Sequence, residues 1–408
     1  MVRVLVIGQG MVGTIFAVGL ERVKKGEIEP YGIPLEPLKP RIRISEIEIV
    51  GSIDVDVNKV GKTVYDVAKG IYGFKEVPET LKNVRVYPGL ELGYVKDIFN
   101  VKSLDEQYSY SRTLDQMYET IVDLKPDVIV DVSTTQFAQP FGDPERLKKA
   151  VENGRDVVPS QVYAYLAMKY SDEVKPVAYV NCIPAPLAND NAFITLAEEM
   201  GGLILGDDGA TGATPLTADI LEHLKERNRR VLGIAQLNIG GNTDFLALTN
   251  ERRNKAKEFT KSSIVEDILG YNAPHYIKPT GFLESLGDKK FVALHIEYVS
   301  FNGARDELIV NMRINDSPAL AGYIVDLVRL SKLALDRGYS GTIYEINAFF
   351  MKKPGPPSAR NVAKIVAYYN LFNFLNKINA LETPETVSFA PGLHQQPQVF
   401  LPQEQRKV

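Results

Sequence analysis

The sequence is short of the residues that build disulfides and tight transition-metal sites. Its 408 residues include one cysteine, no tryptophan and four histidines. The single cysteine, Cys182, excludes an intramolecular disulfide and a cysteine-cluster metal site. The four histidines are too scattered to have the spacing of metal ligands, which argues against a tight transition-metal site. They are His223, His275, His295 and His394. The composition therefore predicts neither a disulfide nor a tight transition-metal site.

The sequence also has no long apolar run and no large excess of one charge. The apolar stretch at its start, MVRVLVIGQG, is too short for a signal peptide or a membrane span, and no longer one follows. A formal net charge of -4 argues against a general nucleic-acid binder. We therefore expect a cytoplasmic protein with no nucleic-acid or membrane partner, and the residue usage favours a thermophilic source.

A glycine-rich turn stands near the start of the chain, between a strand and a helix. Residues 3–7 have the pattern of a buried parallel strand, and a helical pattern follows over 14–25. The GxGxxG arrangement lets the backbone turn tightly and approach a pyrophosphate at the helix N-terminus. This context predicts a dinucleotide site formed by Gly8, Gly10, Met11, Val12 and Gly13.

An acidic residue follows the next predicted strand. A proline-rich insertion lies between residues 26 and 43, and the strand over 47–53 then ends at Asp54. We expect Asp54 to bind the ribose hydroxyls, with Asp56 as second candidate. An acid at this position favours NAD over NADP because it repels a 2′-phosphate. The alternative interpretation is that Asp54 caps a helix over 55–67.

Strand and helix patterns alternate through the first half of the chain. Strands are predicted over 127–132, 155–158 and 177–180, and helices over 114–124, 145–153 and 189–200. This alternation predicts an α/β fold with a doubly wound parallel sheet and its ligand at the carboxyl ends of the strands. Polar residues that follow these strands are cofactor candidates, although such residues are also ordinary caps; they are Ser133, Thr134 and Asn181.

The pattern changes after residue 230. Alternating strands over 231–239, 291–298 and 307–314 are typical of an antiparallel sheet with one covered face. Helices are predicted over 262–269, 319–337 and 361–376, and the length suffices for two domains. We expect a Rossmann domain over 1–229 and 318–408, and an inserted α+β domain for catalysis and oligomerisation over 230–317.

A lysine-rich segment follows the first strand of that second domain. Lys257 and Lys261 are four residues apart, so on a helix both ammonium groups project from one face and suit a phosphate or an alkoxide. The alternative is a solvated helix face. Further polar clusters stand at 207–208, 287–290, 315–318 and 350–354, where ordinary turns are the alternative interpretation.

Ordered motifs along most of the chain resemble the myo-inositol-1-phosphate synthase family. They are GxGxxG, GDDGATGATPL, LNIGGNTDFLAL, KEFTKSSIVEDIL, GDKK, NDSPALAGYIVDLVR and FMKKP. The resemblance implies an NAD-dependent isomerase that converts D-glucose 6-phosphate to 1L-myo-inositol 1-phosphate (1D-myo-inositol 3-phosphate), the first step of inositol biosynthesis. It also implies a homotetramer built through the second domain, and some members need a divalent metal ion or ammonium.

The resemblance also assigns site residues, motif by motif. Lys257 and Lys290 would serve the C5 oxygen and proton transfer, Lys352 the aldehyde oxygen, and Lys261 the substrate phosphate, because cations stabilise the enolate and alkoxide. Lys289 and Lys353 are the alternatives within their motifs. Three carboxylates would orient the lysines or bind sugar hydroxyls: Asp208, Asp244 and Asp316, of which Asp208 would also border the cofactor. Three polar residues would line the substrate floor: Asn238, Asn242 and Thr243.

Two other functions are compatible with a dinucleotide turn and a second domain. The first is a dehydrogenase of the homoserine or semialdehyde type, which releases NADH. The second is a regulatory Rossmann protein without catalysis, which has no need of lysines and aspartates at these motif positions.

Overall fold

A computed structural model describes residues 1–250, 254 and 263–382. The strands are β1 (Val2–Ile7), β2 (Ile47–Asp54), β3 (Val86–Pro88), β4 (Val128–Asp131), β5 (Ala178–Asn181), β6 (Leu203–Leu205), β7 (Arg230–Gly240), β8 (His275–Phe282), β9 (Lys289–Val299) and β10 (Arg305–Asn315). The helices are α1 (Met11–Lys24), α2 (Val64–Gly70), α3 (Tyr110–Leu124), α4 (Pro144–Asn153), α5 (Pro159–Glu173), α6 (Asn191–Glu199), α7 (Thr214–Glu226), α8 (Thr243–Ala247), α9 (263–269), α10 (Asp316–Asp336), α11 (Tyr344–Phe350) and α12 (Lys364–Lys377).

The first sheet is parallel and has helices on both faces. Its strand order is β3-β2-β1-β4-β5-β6, and every pairing in it is parallel. Successive residues of β1 face opposite cores: Val4 packs with α1, α10, α11 and α12, whereas Leu5 packs with α3, α4, α5 and α6. Burial on both faces explains the continuous apolar character of these strands. The predicted α/β class with a doubly wound parallel sheet is confirmed.

The second sheet is mixed, and among the described residues only one of its faces is covered by helices. Its order is β10-β9-β7-β8; β7 pairs antiparallel with β9 and parallel with β8. Leu294 and Ile296 of β9 pack against α7 and α9. The opposite face carries exposed apolar side chains, including Leu237, Tyr276 and Ile309. The three predicted strands of this sheet are therefore present, and the predicted domain boundaries stay a prediction.

Helix α10 leads from the second sheet back to the first and is held by a buried ion pair. The guanidinium of Arg329 donates to Asp326 on the same helix and to Glu36 at 2.6 Å. Asp326 also accepts a 2.7 Å hydrogen bond from the backbone N–H of Leu35. The proline-rich insertion is thereby attached to α10. Within residues 1–250 and 263–382, no helix is long and apolar enough to cross a membrane.

Two predicted elements differ from the observed ones, and one observed strand was not predicted. Residues 155–158 are not a strand; they lead into α5, which begins at Pro159, a residue suited to the first turn of a helix. The helix predicted over 55–67 begins only at Val64 and is capped by Thr63, so the interpretation of Asp54 as a helix cap is wrong. Strand β8 was not predicted, because Pro279 interrupts its pattern; a proline is tolerated there because β8 is an edge strand.

The ion pair on α10 predicts unequal costs for two aspartate substitutions on one helix. Asp326→Ala leaves Arg329 buried with less compensation, and we expect it to lower the free energy of unfolding by about 3–5 kcal/mol. Asp336→Ala, the control, removes a partly exposed pair with Lys332 and should cost less than about 1 kcal/mol. Urea denaturation measures both, and equal losses would contradict the role given to the buried pair.

Candidate active site

The glycine turn after β1 leaves space at the N-terminus of α1. Gly8 has φ of 96°, and a Cβ atom there would lie 2.7 Å from the backbone nitrogen of Ser133. A Cβ on Gly13 would lie 2.6 Å from the carbonyl oxygen of Gly8, whereas one on Gly10 would meet no atom within 4 Å. Gly10 caps α1 without a side-chain hydrogen bond, and the first turn holds no acidic residue. The turn thus fits a pyrophosphate on the helix N-terminus.

A cleft of about 360 Å³ runs from this turn toward both sheets. Gly8, Gly10, Met11 and Val12 line its floor, while Gly13 packs the helix against the turn. Residues next to the second sheet also line it: Asn242 and Asp288 lie in loops, Thr243 begins α8, and Ser317 stands in the first turn of α10. The cleft therefore lies between the two sheets.

Asp54 lies at one end of the cleft beside a lysine that the motif did not indicate. One carboxylate oxygen accepts hydrogen bonds from the N–H groups of Val55 and Asp56, at 2.7 and 2.9 Å. The other lies 3.4 Å from the ammonium of Lys59, which is also 3.6 Å from Asp56. Burial favours the neutral amine, yet Asp54, Tyr72 and Asp56 outweigh it and raise the pKa of Lys59. Asp54 and Lys59 line the cleft and Asp56 does not.

The polar residues after β4 and β5 have different surroundings. Ser133 and Thr134 line the cleft, and Gln136 donates to the Ser133 hydroxyl at 3.2 Å. Asn181 is buried and does not line it; its amide donates to the carbonyl of Ala185 at 2.6 Å and to Asp207 at 2.7 Å. Of these candidates, Ser133 and Thr134 therefore accompany the glycine turn, and Asn181 supports a neighbouring loop.

That neighbouring loop, residues 206–214, is anchored by the buried carboxylate of Asp207. It accepts from the side chains of Asn181 and Asn189 and from the N–H groups of Leu187 and Ala188, at 2.7–3.1 Å. Burial raises the pKa of Asp207 to about 6, and these hydrogen bonds oppose the rise. Such a dense set of donors fixes the loop in one conformation.

One lysine–aspartate pair joins this loop to the segment after α11. The ammonium of Lys352 lies 2.9 Å from Asp208, with both side chains buried. The N–H of Lys352 also donates to the carbonyl oxygen of Asp208. Lys353 instead exchanges backbone hydrogen bonds with Asp207. Lys352 rather than Lys353 thus presents its ammonium to the loop.

A second lysine–aspartate pair faces the same loop from the second sheet. The ammonium of Lys290 lies 2.5 Å from Asp316, at the start of α10. Lys290 is buried, whereas Lys289 is exposed, because successive residues of β9 face opposite sides. Gly212, with φ of 70°, has no room for a Cβ atom against Lys290 and Asp316. Both pairs consequently border the loop 206–214.

The predicted substrate-floor residues divide into two groups. Asn242 and Thr243 line the cleft, and Asn242 donates to Asp288 at 3.3 Å. Asn238 is buried within β7, where its amide donates to the carbonyl of Lys278 at 3.0 Å. Asp288 also accepts from the hydroxyl of Ser317 at 2.5 Å. Asp288 and Ser317 both line the cleft. They belong to the GDKK and NDSP motifs, in which Lys290 and Asp316 were the predicted site residues.

Some predicted residues lie outside the described part of the chain. They are Lys257, Lys261 and the side chain of Asp244. Among the residues that are described, no group of three or more histidine, cysteine, aspartate or glutamate side chains could hold a metal ion.

Comparison with known proteins shows to which family this chain belongs. The sequence profile described as myo-inositol-1-phosphate synthase matches residues 212–317. A crystal structure of a myo-inositol-1-phosphate synthase-related protein from Thermotoga maritima is 52% identical, with a TM-score of 0.85, over 92% of this chain and 98% of that one. The chain belongs to the myo-inositol-1-phosphate synthase family.

More distant members of the family share the length and the fold. An inositol-3-phosphate synthase from Corynebacterium glutamicum is 28% identical over 383 residues, which span 89% of this chain and 96% of the relative. The inositol-3-phosphate synthase structure from Caenorhabditis elegans is 15% identical, with a TM-score of 0.75, over 94% of this chain and 86% of that one. The latter supports the fold alone.

The open space at Gly10 predicts a selective loss of cofactor binding. The Cβ atom of Gly10→Val would have no protein atom within 4 Å and would stand in the cleft, so we expect the variant to keep the fold and to lose binding of a dinucleotide such as NAD. Gly19→Val is the matched control, because it adds the same atoms in open space on the same helix. Titration calorimetry with NAD measures both variants. Normal NAD affinity in Gly10→Val would place the dinucleotide site elsewhere.

Proposed function

We propose that this protein converts D-glucose 6-phosphate to 1D-myo-inositol 3-phosphate with NAD as a resident cofactor. The observation that carries the proposal is the placement of two lysine–aspartate pairs, each with a buried lysine, around one loop, next to a cleft that fits a dinucleotide. Membership of the family supports glucose 6-phosphate as the substrate and inositol phosphate as the product. An ordinary dinucleotide enzyme needs the cleft but not this set of cations.

Several features of the cleft support NAD as the cofactor. The N-terminus of α1 at Gly10 would bind the pyrophosphate, Asp54 the ribose hydroxyls, and Ser133 and Thr134 the nicotinamide end. Lys59 would keep the Asp54 carboxylate in place. When bound, NAD would accept a hydride from C5 of the sugar and return it later, which gives no net oxidation.

The lysines would stabilise negative charge that develops on the sugar. In a site with little water, a fixed ammonium stabilises an enolate or alkoxide far more than water does. We assign Lys290 to the oxygen on C5 and Lys352 to the aldehyde oxygen on C1, where ring closure forms a new carbon–carbon bond. Asp316 and Asp208 hold these ammonium groups in position. The assignment of Lys257 and Lys261 to proton transfer and phosphate binding rests on the resemblance.

We also propose that the chain forms a homotetramer through its second sheet. Ile309 pairs with His295 of β9, His295 with Ala235 of β7, and Ala235 with Tyr276 of β8, so these side chains share one face. On that face Ile309 is 67% exposed and Tyr276 46%. Apolar side chains grouped on one open face favour contact with a second copy of the chain.

A closed redox cycle predicts product without reduced cofactor. Purified protein is supplied with D-glucose 6-phosphate and catalytic NAD, with and without divalent metal or ammonium. Phosphorus NMR detects inositol phosphate while absorbance follows NADH. We expect inositol phosphate and no accumulation of NADH. NADH formed in step with substrate loss would indicate a dehydrogenase, and inactivity under every condition would favour a regulatory Rossmann protein.

Neighbouring lysines of β9 provide the matched variants for that assay. Lys290→Ala should lower kcat by at least about 10²-fold, because it removes a preorganised cation, and should leave NAD affinity unchanged. Lys289→Ala removes an exposed lysine and should keep both values near those of the wild type. A comparable loss of NAD affinity in Lys290→Ala would show that Lys290 supports the structure rather than the reaction.

The exposed sheet face predicts that one charge disrupts the oligomer. Ile309→Glu places a carboxylate on that face, and we expect light scattering to report a smaller species than the wild-type tetramer. Val174→Glu is the control, since Val174 is similarly apolar and 47% exposed but follows α5 in the first sheet's layer. A monomeric wild type, or a tetramer that persists in Ile309→Glu, would exclude this interface.

A further inference from the structure

Lys364 is a buried lysine that the proposed chemistry does not use. It is the first residue of α12 and is 5% exposed. Its ammonium donates to the carbonyl oxygens of Ala348 and Met351, at 2.5 and 2.7 Å. These carbonyls lie at the end of α11, where helix carbonyls lack partners and carry partial negative charge. Lys364 therefore closes the C-terminus of α11 from another helix.

The carbonyl of Met351 belongs to the peptide group that carries Lys352. At the other end of that peptide group, the N–H of Lys352 donates to the carbonyl oxygen of Asp208. Lys364 thus fixes one end of the peptide plane and Asp208 fixes the other. The Lys352 side chain departs from this plane and reaches Asp208 at 2.9 Å. A rotation of the plane would move the Lys352 ammonium away from the site.

A lysine at this position is costly for packing alone. Within the described part of the chain, no carboxylate lies within ion-pair distance of Lys364. Burial lowers the pKa of Lys364 to about 7; Asp219 opposes this change and Lys352 adds to it. A methionine would fill a similar volume without this desolvation cost. The side chain is therefore best explained by the two carbonyls that it binds.

The segment that carries Lys364 also binds the helices of the second sheet. The backbone and side-chain N–H groups of Asn361 donate to Asp267 of α9, at 3.0 and 2.9 Å. The N–H of Ile365 donates to Asp219 of α7 at 3.0 Å. Helix α9 follows Lys257 and Lys261 in the chain. Residues 361–365 thus connect the helix after those lysines with the peptide that holds Lys352.

We propose that Lys364 is a positioning residue that holds the Met351–Lys352 peptide, so that the Lys352 ammonium stays at the reacting oxygen. The role given to Lys352 rests on the proposed function. Lys364 does not line the cleft and acts through its two carbonyl contacts.

Two lysines of α12 provide the first comparison. Lys364→Met should lower kcat at least about tenfold, as expected from lost hydrogen bonds to a charged donor, while KM changes less than about threefold. Lys377→Met, at the exposed end of the helix, should leave both values near wild type. Equal kcat in the two variants would overturn the proposal. If Lys364→Met fails to unfold cooperatively in urea, Lys364→Gln, which keeps one donor group, is judged by the same criteria.

A double-mutant cycle tests whether Lys364 acts through Lys352. In a Lys352→Met background, Lys364→Met should lower the residual rate less than about twofold, because the group that it positions is already absent. Additive losses would assign Lys364 a general structural role and overturn the proposal.

A third measurement separates this inference from the proposed function. Trace acetylation at Lys352, read by mass spectrometry, needs no turnover. We expect faster acetylation of Lys352 in Lys364→Met than in the wild type, because the peptide loosens and exposes the amine. Unchanged acetylation would overturn the positioning role even in an active synthase. Faster acetylation in a protein without synthase activity would support positioning and contradict the proposed function.

Discussion

The buried carboxylate of Asp207 is the contact on which the geometry of the site depends. The carboxylate accepts hydrogen bonds from Asn181 at the end of β5 and from Asn189 in the following turn, and the backbone of Asp207 exchanges hydrogen bonds with that of Lys353. The next residue, Asp208, is thereby placed against Lys352. An unpaired carboxylate at this depth would be strongly destabilising, so the loop keeps its conformation only while every donor is present.

Charge balance explains why the site needs residues from several parts of the chain. Each described lysine–aspartate pair is neutral overall, so neither alone compensates a phosphorylated sugar. Further cations must come from elsewhere, and the resemblance assigns this role to Lys257 and Lys261. Buried cations in one pocket repel each other unless each has a fixed partner. Lys290 on β9 and Lys352 after α11 therefore come from different elements, and each is paired with its own aspartate.

The sequence predicted the features whose signal is local. The glycine turn directly follows β1, and Asp54 is the last residue of β2. Each could therefore be predicted from residues at the end of its own strand. Lys59 was missed because its contact with Asp54 depends on the path of a loop that contains no helix. Asn181 was assigned to the cofactor because it follows a strand, but its side chain is bound by Asp207 from another loop. Contacts between distant segments leave no periodic pattern, so these parts required the structure.

The position of the cleft between the two sheets has a kinetic consequence. A dinucleotide that fills it contacts the glycine turn on one side and the loops at Asn242 and Asp288 on the other. A ligand held by both walls leaves only when its contacts with both are broken, so the two sets of contacts together would set its residence time. The proposed cycle, which reduces and reoxidises the same cofactor molecule, would benefit from a long residence time.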